Sequence, residues 1–591
     1  MLIENNRQKK TIIKRIRQLP FIVSVLTIFL FLYDMGFEHK MTSSDMFYFI
    51  YTIGLIIGTI SIISRYFIKE SRPRLKAIPF EILLLLFLLL IINQYIKFEH
   101  LEIFLVFENH AYLYVAIFLV FIREFSALKF NFKRAKINPA QLFVFSFLII
   151  IIVGGLLLML PNATNLGISF IDALFTSTSA VCVTGLVVVD TGSFFTEFGQ
   201  IIILILIQIG GIGIMTFASY FSFFFRGASS YENQLSIREM TNIEKIGEVF
   251  SILKKIILVT FLIESIGAIL IFQSLEHINF TDLSDRIYFS IFHSVSGFCN
   301  AGFSTLQNSL FENPFQFNYP LQLIIAGLII VGGLGFPIVF NLLKFIRIKI
   351  TNFFIQIGGQ KQSKTIPWII NINSRIVVMT TLSLILFGTL LFFLFEYNNT
   401  LRHHGFFGKI VTAFFGSVST RTAGFNTVDT AALSLPTTLI VILFMWIGAS
   451  PGSTGGGIKT STFAIAILNI LSIAKGKTRL EIYKREISGT TVNRSFAIIV
   501  LSIFVISISI FLVSLFDSNL SLRDISFECI SAYSTVGLSR GITSDLSVAS
   551  KFVLIFTMFI GRVSMLTVLI AFFKKIPSEK YRYPSENILI N

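Results

Sequence analysis

Charged residues are scarce in this sequence: Asp, Glu, Lys and Arg make 14% of its 591 residues, whereas hydrophobic residues make 54%. Because about a quarter of the residues in a soluble domain are charged, this balance excludes an ordinary water-soluble protein. A net charge of +16 raises the question of nucleic acid. The basic residues cluster in loops between apolar stretches, however, as in membrane proteins. The composition therefore predicts an integral membrane protein that is solvated by lipid and has no nucleic-acid partner.

Cysteine is also rare, with only Cys182, Cys299 and Cys529 in the whole chain. They lie far apart and lack the paired Cys and His spacing of a zinc site, so neither a disulfide framework nor structural zinc is indicated. A membrane enzyme would need clustered acids, histidines or metal ligands at one membrane face, and the sequence shows no such cluster. We therefore expect no enzymatic activity, no catalytic residue and no bound cofactor.

Long apolar stretches recur along the chain. A membrane span needs about 20 such residues, because a rise of about 1.5 Å per residue must cross about 30 Å of hydrocarbon. We predict four spans near residues 19–35, 46–64, 79–96 and 102–122, followed by eight near 141–160, 199–225, 256–275, 321–343, 372–395, 432–474, 494–515 and 552–573.

Basic residues mark alternate loops between these spans. They cluster at residues 65–76, 123–136, 344–349, 475–485 and 574–575. Cytoplasmic loops of membrane proteins carry the excess of Lys and Arg. The pattern therefore places both termini in the cytoplasm and the chain, with its many spans, in the cytoplasmic membrane.

Four outward-facing connections carry related strings. FTSTSAVCVTGL, FHSVSGFCNAGF, FFGSVSTRTAGF and FECISAYSTVGL begin at residues 175, 292, 414 and 527, and each places a phenylalanine ten positions before a glycine. A serine stands six positions before the glycine in three of them, whereas Ser419 of the third stands five before. Their apolar helices span about ten residues, which is too short to cross a bilayer. We therefore predict four re-entrant segments.

This repeat predicts an all-α integral membrane fold with four covalently linked helix–pore-loop–helix units around a central pore, preceded by four extra transmembrane helices. We assign residues 1–136 to the N-terminal four-helix extension. The four pore repeats take residues 137–230, 231–350, 351–480, which includes an intramembrane gate loop, and 481–591, which ends in a short cytoplasmic C-terminus.

The glycine of each string lies in a stretch predicted to be extended at membrane depth. Such backbone is tolerated only where protein or a water-filled cavity surrounds it, and glycine allows consecutive carbonyls to turn toward one axis. Four such stretches would replace the hydration shell of a monovalent cation. The predicted selectivity filter is Val183, Thr184, Gly185 and Leu186; Asn300, Ala301, Gly302 and Phe303; Thr422, Ala423, Gly424 and Phe425; and Thr535, Val536, Gly537 and Leu538. It contains no acidic side chain, which favours potassium over calcium as the transported ion. We expect no metal site other than the filter.

Two alternatives remain open at this point. The four glycines are also compatible with close packing between helices, which is common in membranes. A secondary carrier with inverted repeats would place its substrate among broken helices at the midplane, but its repeats would alternate in direction, whereas these four enter and leave on one side.

The stretch at 432–474 is too long for one crossing, and its middle is rich in glycine and proline, which break a helix. We predict a helix break there that faces the cavity, a polar segment of low stability whose alternative conformations lie close in free energy. Its residues are Gly448, Ser450, Pro451, Gly452, Ser453, Thr454, Gly455, Gly456, Gly457 and Lys459, and Arg562 of the last span could hydrogen-bond them. A charge within a span is expensive and is a functional-site hypothesis. The alternatives are a static kink for the loop, a structural ion pair for Arg562, and a position at the cytoplasmic surface for Lys459.

The motifs SAVCVTGLVVVDTGSFFTEFGQ, GFCNAGFST, SVSTRTAGFNT and GASPGSTGGGIKTST, at residues 179–200, 297–305, 417–427 and 448–462, resemble the Trk/Ktr potassium-uptake superfamily, and most closely its Ktr-type membrane subunit. The resemblance covers about residues 140–575. It implies four covalently linked units around one pore and potassium as the ion where Gly185 is glycine. The same resemblance makes residues 448–459 a gate, a loop that obstructs the pore, with Arg562 as its partner. It also implies a homodimer, each chain with its own pore, and a separate cytosolic nucleotide-binding regulatory ring of the RCK type.

Overall fold

The computed structural model describes residues 2–37, 41–67, 78–96, 110–127, 139–226, 249–280, 282–357 and 370–573. Nearly all secondary structure in these ranges is helical, and one hairpin pairs Glu481–Ile482 with Arg485–Glu486. The chain divides into two compact units: Met1–Phe132 with Leu160–Asn162, and Lys133–Met159 with Ala163–Asn591. The predicted all-α class is confirmed.

The first unit contains the four helices Leu2–Gly36, Met41–Phe67, Ile78–Ile96 and His110–Ala127. Its core is apolar and includes Tyr51 and Leu88, which are both 0% exposed. Two ion pairs join its helices, Arg65 with Glu124 at 2.6 Å and Arg123 with Glu81. Each of these four charged groups thus keeps a partner of opposite sign, as burial requires.

The second unit repeats one arrangement four times: a first helix, a short pore helix, a glycine-bearing stretch and a second helix. The first helices are Pro139–Leu158, Val249–Ser274, Ile372–Glu396 and Gly489–Phe516. The pore helices are Phe170–Val181, Leu283–Cys299, Phe406–Ser419 and Leu522–Ser534. The second helices are Glu197–Arg226, Tyr319–Leu334 with Phe336–Ile357, Leu435–Trp446 with Thr460–Ala474, and Val548–Val563 with Met565–Phe572. Shorter helical turns are Thr191–Phe194, Pro161–Ala163, Ser309–Phe311 and Phe315–Phe317.

Membrane embedding is evident from length and composition. Among the described residues, five helices are long and apolar enough to cross a bilayer, or up to seven when each of two bent pairs is counted as one span. Apolar side chains cover their outer faces, as Leu386 and Phe511 show with exposures of 67% and 66%. Exposed apolar area on this scale is stable only against lipid.

The second helices of repeats two and four correct the sequence prediction. Spans near 321–343 and 552–573 were expected to be continuous, but they bend by 105° and 88°. The breaks fall at Gly335 and Ser564, whose φ angles are 81° and 74°. A residue with a positive φ angle cannot continue a right-handed helix. The predicted interruption of 432–474 is present, as residues 447–459 separate the helices Leu435–Trp446 and Thr460–Ala474.

A serine on three of the pore helices ties each to its first helix. Ser177, Ser294 and Ser417 donate to the carbonyls of Ile151, Glu264 and Ile385 at 2.7, 2.6 and 3.0 Å. A glycine three residues after each carbonyl leaves room for that serine, since a Cβ at Gly154, Gly267 or Gly388 would collide with its hydroxyl. The fourth repeat has Cys529 on the pore helix instead.

Some predictions fall outside the described residues. They are the basic clusters within 68–77, 128–138 and 574–575, the start of the span near 102–122, and the domain boundaries at 136 and 230. The domain boundaries remain predictions throughout.

Candidate functional site

The four repeat glycines lie side by side in a closed ring. A Cβ atom at Gly185 would overlap the carbonyl oxygen of Ala301, the residue before the next repeat's glycine. The same relation joins Gly302 to Ala423, Gly424 to Val536, and Gly537 back to Thr184. Four residues more than 100 positions apart in sequence therefore meet around one axis. Each repeat contributes a glycine Cα and a preceding carbonyl to it.

The backbone before each glycine is held in an unusual conformation. Val183, Asn300, Thr422 and Thr535 have φ angles between 50° and 76°, and the glycines have φ between 70° and 91°. Three of these four non-glycine residues are β-branched, for which positive φ costs on the order of 1–3 kcal/mol. Such strain persists only where the surroundings impose it, and it clusters at functional sites.

Pore-helix serines hold these stretches in place. Ser179 and Ser531 accept hydrogen bonds from the N–H groups of Gly185 and Gly537 at 3.0 and 3.1 Å. In the other two repeats the serine instead donates to the carbonyl after the glycine, Ser296 to Phe303 at 2.7 Å and Ser419 to Phe425. The serines that recur five or six positions before the glycines therefore support the ring directly.

The third repeat is one residue shorter than its sequence alignment implied. Counting back from Gly424 assigned Phe414 to the buried position, but Phe415 is fully buried, like Phe175, Phe292 and Phe527. Ser419 correspondingly takes the place of the serine six before the glycine. One residue is therefore missing between the pore helix and the glycine, and the alignment of Phe414 was wrong.

An open vestibule of about 190 Å³ lies on one side of the ring. All four glycines line it, together with residues that follow them in the chain, such as Phe303, Asn426 and Leu538. The following residues Leu186, Phe303, Phe425 and Leu538 are themselves at most 6% exposed. Because these side chains are buried, only the backbone groups of these residues can face the central axis.

The glycine-rich loop at 448–457 lies on the opposite side of the ring. Gly455 packs against the hydroxyl of Thr422, and the Gly456 N–H donates to the hydroxyl of Thr535 at 3.0 Å. Thr422 and Thr535 precede their glycines by two positions, whereas the vestibule residues follow them. The loop therefore sits directly beneath the ring, with Ser450 and Thr454 both about 1% exposed or less.

Contacts with the second repeat hold the loop there. Its backbone bonds the break at Gly335: Phe336 N–H donates to the Gly452 carbonyl at 3.1 Å, and Ser450 N–H to the Gly333 carbonyl at 3.0 Å. The Thr454 hydroxyl donates to the carbonyl of Phe298 at 3.3 Å.

Two basic side chains also hold the loop. Arg562, 4% exposed, donates to the carbonyls of Thr454 and Gly210, the latter at 2.6 Å. Lys459 donates to the carbonyls of Gly455 and Gly456 at 2.6 and 3.4 Å. All predicted gate residues therefore meet in one region, and Lys459 turns into the loop rather than toward a membrane surface. The carbonyl contacts of Arg562 differ from the ion pair that was the alternative.

Three further buried polar residues, Glu264, Glu528 and His293, have defined partners. Glu264 accepts from the Gln208 amide at 3.2 Å and lies 3.8 Å from the Cys299 sulfur. Glu528 accepts from the Ser539 hydroxyl and, at 3.1 Å, from the N–H of Arg540. His293 bonds the Phe289 carbonyl and the Ser304 hydroxyl, both at 2.9 Å, and is a packed polar residue.

Arg540 is a residue that the sequence pattern did not single out. Its guanidinium pairs with Asp524 at 2.6 Å and donates to the carbonyls of Thr430 and Ala431 at 2.9 and 2.8 Å. It therefore joins the connections that follow the glycines of repeats three and four, beside the vestibule. The sequence gives no signal of this role, because the two carbonyls that Arg540 binds lie about 110 positions away.

Comparison with known proteins places these features in a family. The sequence model of the TrkH family, described as cation transport proteins, matches residues 114–583. The potassium/sodium uptake protein NtpJ of Enterococcus hirae is 35% identical over 465 residues, which cover 77% of this chain and 98% of NtpJ. The Ktr system potassium uptake protein B of Vibrio alginolyticus is 36% identical over 459 residues, which cover 77% of this chain and 96% of that protein.

A solved structure shares the fold. The potassium transporter TrkH from Vibrio parahaemolyticus matches with a TM-score of 0.59 and 16% identity, over 83% of this chain and 96% of that one.

Proposed function

This chain belongs to the TrkH family of cation transport proteins, and we propose that it is the potassium-translocating membrane subunit of a Ktr-type uptake system. It is a membrane protein of cation uptake, in a family of transporters rather than enzymes. The relatives named for potassium uptake cover most of the chain. The finer assignments below rest on the geometry of the ring and of the loop.

The closed ring of four glycines carries the proposal. Four equivalent backbone carbonyls around one axis can replace the water around a dehydrated potassium ion. No acidic side chain belongs to the four stretches, so the coordinating field comes from main-chain dipoles. The filter thus comprises residues 183–186, 300–303, 422–425 and 535–538.

The loop at 448–457 is the gate of this path. It fills the space beneath the ring and is held there by separate hydrogen bonds rather than by a continuous helix. Arg562 and Lys459 donate hydrogen bonds to loop carbonyls in this closed arrangement and present positive charge where a cation would pass. Withdrawal of the loop would open the path.

The names of the relatives support a regulated system. Two Ktr system uptake proteins, B and D of Bacillus subtilis, are 34% and 32% identical to the chain. We propose that a separate cytosolic nucleotide-binding ring of the RCK type moves the loop, that two chains form a homodimer, and that both termini face the cytoplasm.

Growth and flux in cells without their own potassium uptake systems test the function. The full chain should restore growth at low potassium and give rubidium uptake that excess sodium displaces only weakly. A second strain carries the chain without residues 452–457, so that a closed loop cannot hide the path. No flux from either protein, with both in the membrane, would refute the proposal, and equal sodium flux would refute potassium selectivity.

A further inference from the structure

The outer vestibule contains one charged side chain among the described residues that line it. That residue is Asp190, five positions after Gly185. The other polar lining side chains are neutral amides and hydroxyls, including Gln307, Asn426 and Ser539. Among the described residues, Asp190 is therefore the one charged side chain that lines the mouth of the ring itself.

The local structure fixes one oxygen of Asp190 and leaves the other open. Its Oδ1 atom accepts from both the N–H and the hydroxyl of Ser193, each at 2.8 Å. These bonds cap the short helix Thr191–Phe194 and hold the side chain in place. Within the described part of the chain, Asp190 forms no ion pair and its Oδ2 atom has no hydrogen-bond partner, so its charge is not neutralised by protein.

We propose that Asp190 is the residue that concentrates cations at the outer mouth of the path. The inference rests on the proposed function, since it requires cations to approach the ring from the vestibule. A fixed negative charge on a low-dielectric wall raises the local concentration of cations and their rate of capture. Because the carboxylate lies in the vestibule and is not part of the ring, it changes the rate at which cations reach the ring and not how the ring coordinates them.

The third repeat provides a matched comparison. Asp429 also stands five positions after its glycine, and its Oδ1 atom accepts from the Ala431 N–H at 2.8 Å. It is exposed and does not line the vestibule. The two aspartates thus share their position in the repeat and their type of backbone bond, but only Asp190 faces the mouth.

The test is rubidium uptake by the full chain at external ionic strengths of about 10 mM and about 500 mM, adjusted with an impermeant organic cation and constant osmolarity. Asp190→Asn removes the charge and keeps the helix cap, because Asn caps as well as Asp. At low ionic strength its KM should rise about threefold, as expected for one unit charge about 7 Å from the ion in water. Its maximal rate should stay that of the wild type. High ionic strength should remove the difference, because the Debye length then falls below about 5 Å.

Two further variants complete the design. Asp190→Glu should keep the wild-type KM, and Asp429→Asn should raise KM less than Asp190→Asn does, because its charge lies outside the vestibule. An unchanged KM in Asp190→Asn, a change that persists at high ionic strength, or an equal change in Asp429→Asn would overturn the inference while wild-type flux upholds the proposed function. Absence of wild-type flux would overturn both.

Discussion

The glycine ring and the loop beneath it are built from one repeat in opposite ways. Each of the four repeats supplies the ring with a glycine, a preceding carbonyl and a supporting serine. Only the third repeat supplies the loop. Under the proposed function this difference has a physical reason, because coordination of a spherical ion needs equivalent groups on all sides, whereas obstruction of a path needs a single element.

The second helices show how the third repeat differs. In the other repeats a second-helix glycine packs on a pore-helix carbonyl: Gly210 on Val181, Gly332 on Phe298, and Gly561 on Tyr533. In the third repeat Gly448 packs on Gly456 of its own loop instead. At this position the third repeat therefore packs on its own loop rather than on its pore helix.

The largest effect should come from breaking the ring. Gly424→Val places a branched side chain on the carbonyl of Val536, at a residue with φ of 78°. Both the collision and the backbone conformation oppose it. We expect rubidium flux to fall by about a hundredfold. Gly327→Val is the control, because nothing lies within 4 Å of its Cβ position; an equal loss there would point to a general folding defect.

A smaller disturbance of the ring should reduce selectivity. Gly185→Ser crowds the Ala301 carbonyl, and we expect potassium over sodium discrimination to fall by about tenfold, measured as permeability ratios in vesicles. Gly541→Ser separates crowding from backbone strain, since Gly541 has φ of 90°, similar to the 87° of Gly185, with open space around it. An unchanged ratio in Gly185→Ser would count against the filter assignment.

Loosening the loop should act in the other direction. Arg562→Gln removes charged hydrogen bonds to Thr454 and Gly210, each worth on the order of 1.5–3 kcal/mol, and we expect basal flux to rise about fivefold. Lys551→Gln is the control on the same helix. Lys551 forms an ion pair with Asp172, with 2.8 Å between Nζ and Oδ1, and does not contact the loop. Flux that stays at the wild-type level in Arg562→Gln would favour a static kink over a gate.

The smallest effect concerns the scaffold shared by the repeats. Ser417→Ala removes the bond from the third pore helix to the Ile385 carbonyl and should destabilise the protein by about 0.6–1 kcal/mol, seen as a lower thermal midpoint with flux unchanged. Thr389→Ala removes a bond to the same carbonyl from within the first helix and should cost less. An equal cost for both would mean that the link between helices contributes nothing beyond a local bond.

Much of the candidate site could be predicted because its signals are local. A glycine recurring in four related strings, between helices too short to span, indicates re-entrant segments, and the density of glycine and proline near Gly452 predicts the helix break. The bend at Ser564 could not be predicted, because a serine is rarely left-handed and only its surroundings impose that conformation. The sequence also could not show that Phe415, rather than Phe414, corresponds to the buried phenylalanine of the other repeats. The two residues are adjacent and of the same type, so only their burial in the folded chain distinguishes them.

By itself the sequence determined that this protein lives in a membrane, that it is helical, and that it carries four glycine-bearing re-entrant units, because hydrophobicity, helix length and backbone freedom are properties of short segments. Only the tertiary structure decided that the four glycines close a ring, that Arg562 and Lys459 both hold the loop, and that Asp190 rather than Asp429 reaches the vestibule. Each of these depends on which residues more than about 100 positions apart come into contact, and packing of the whole chain sets those distances.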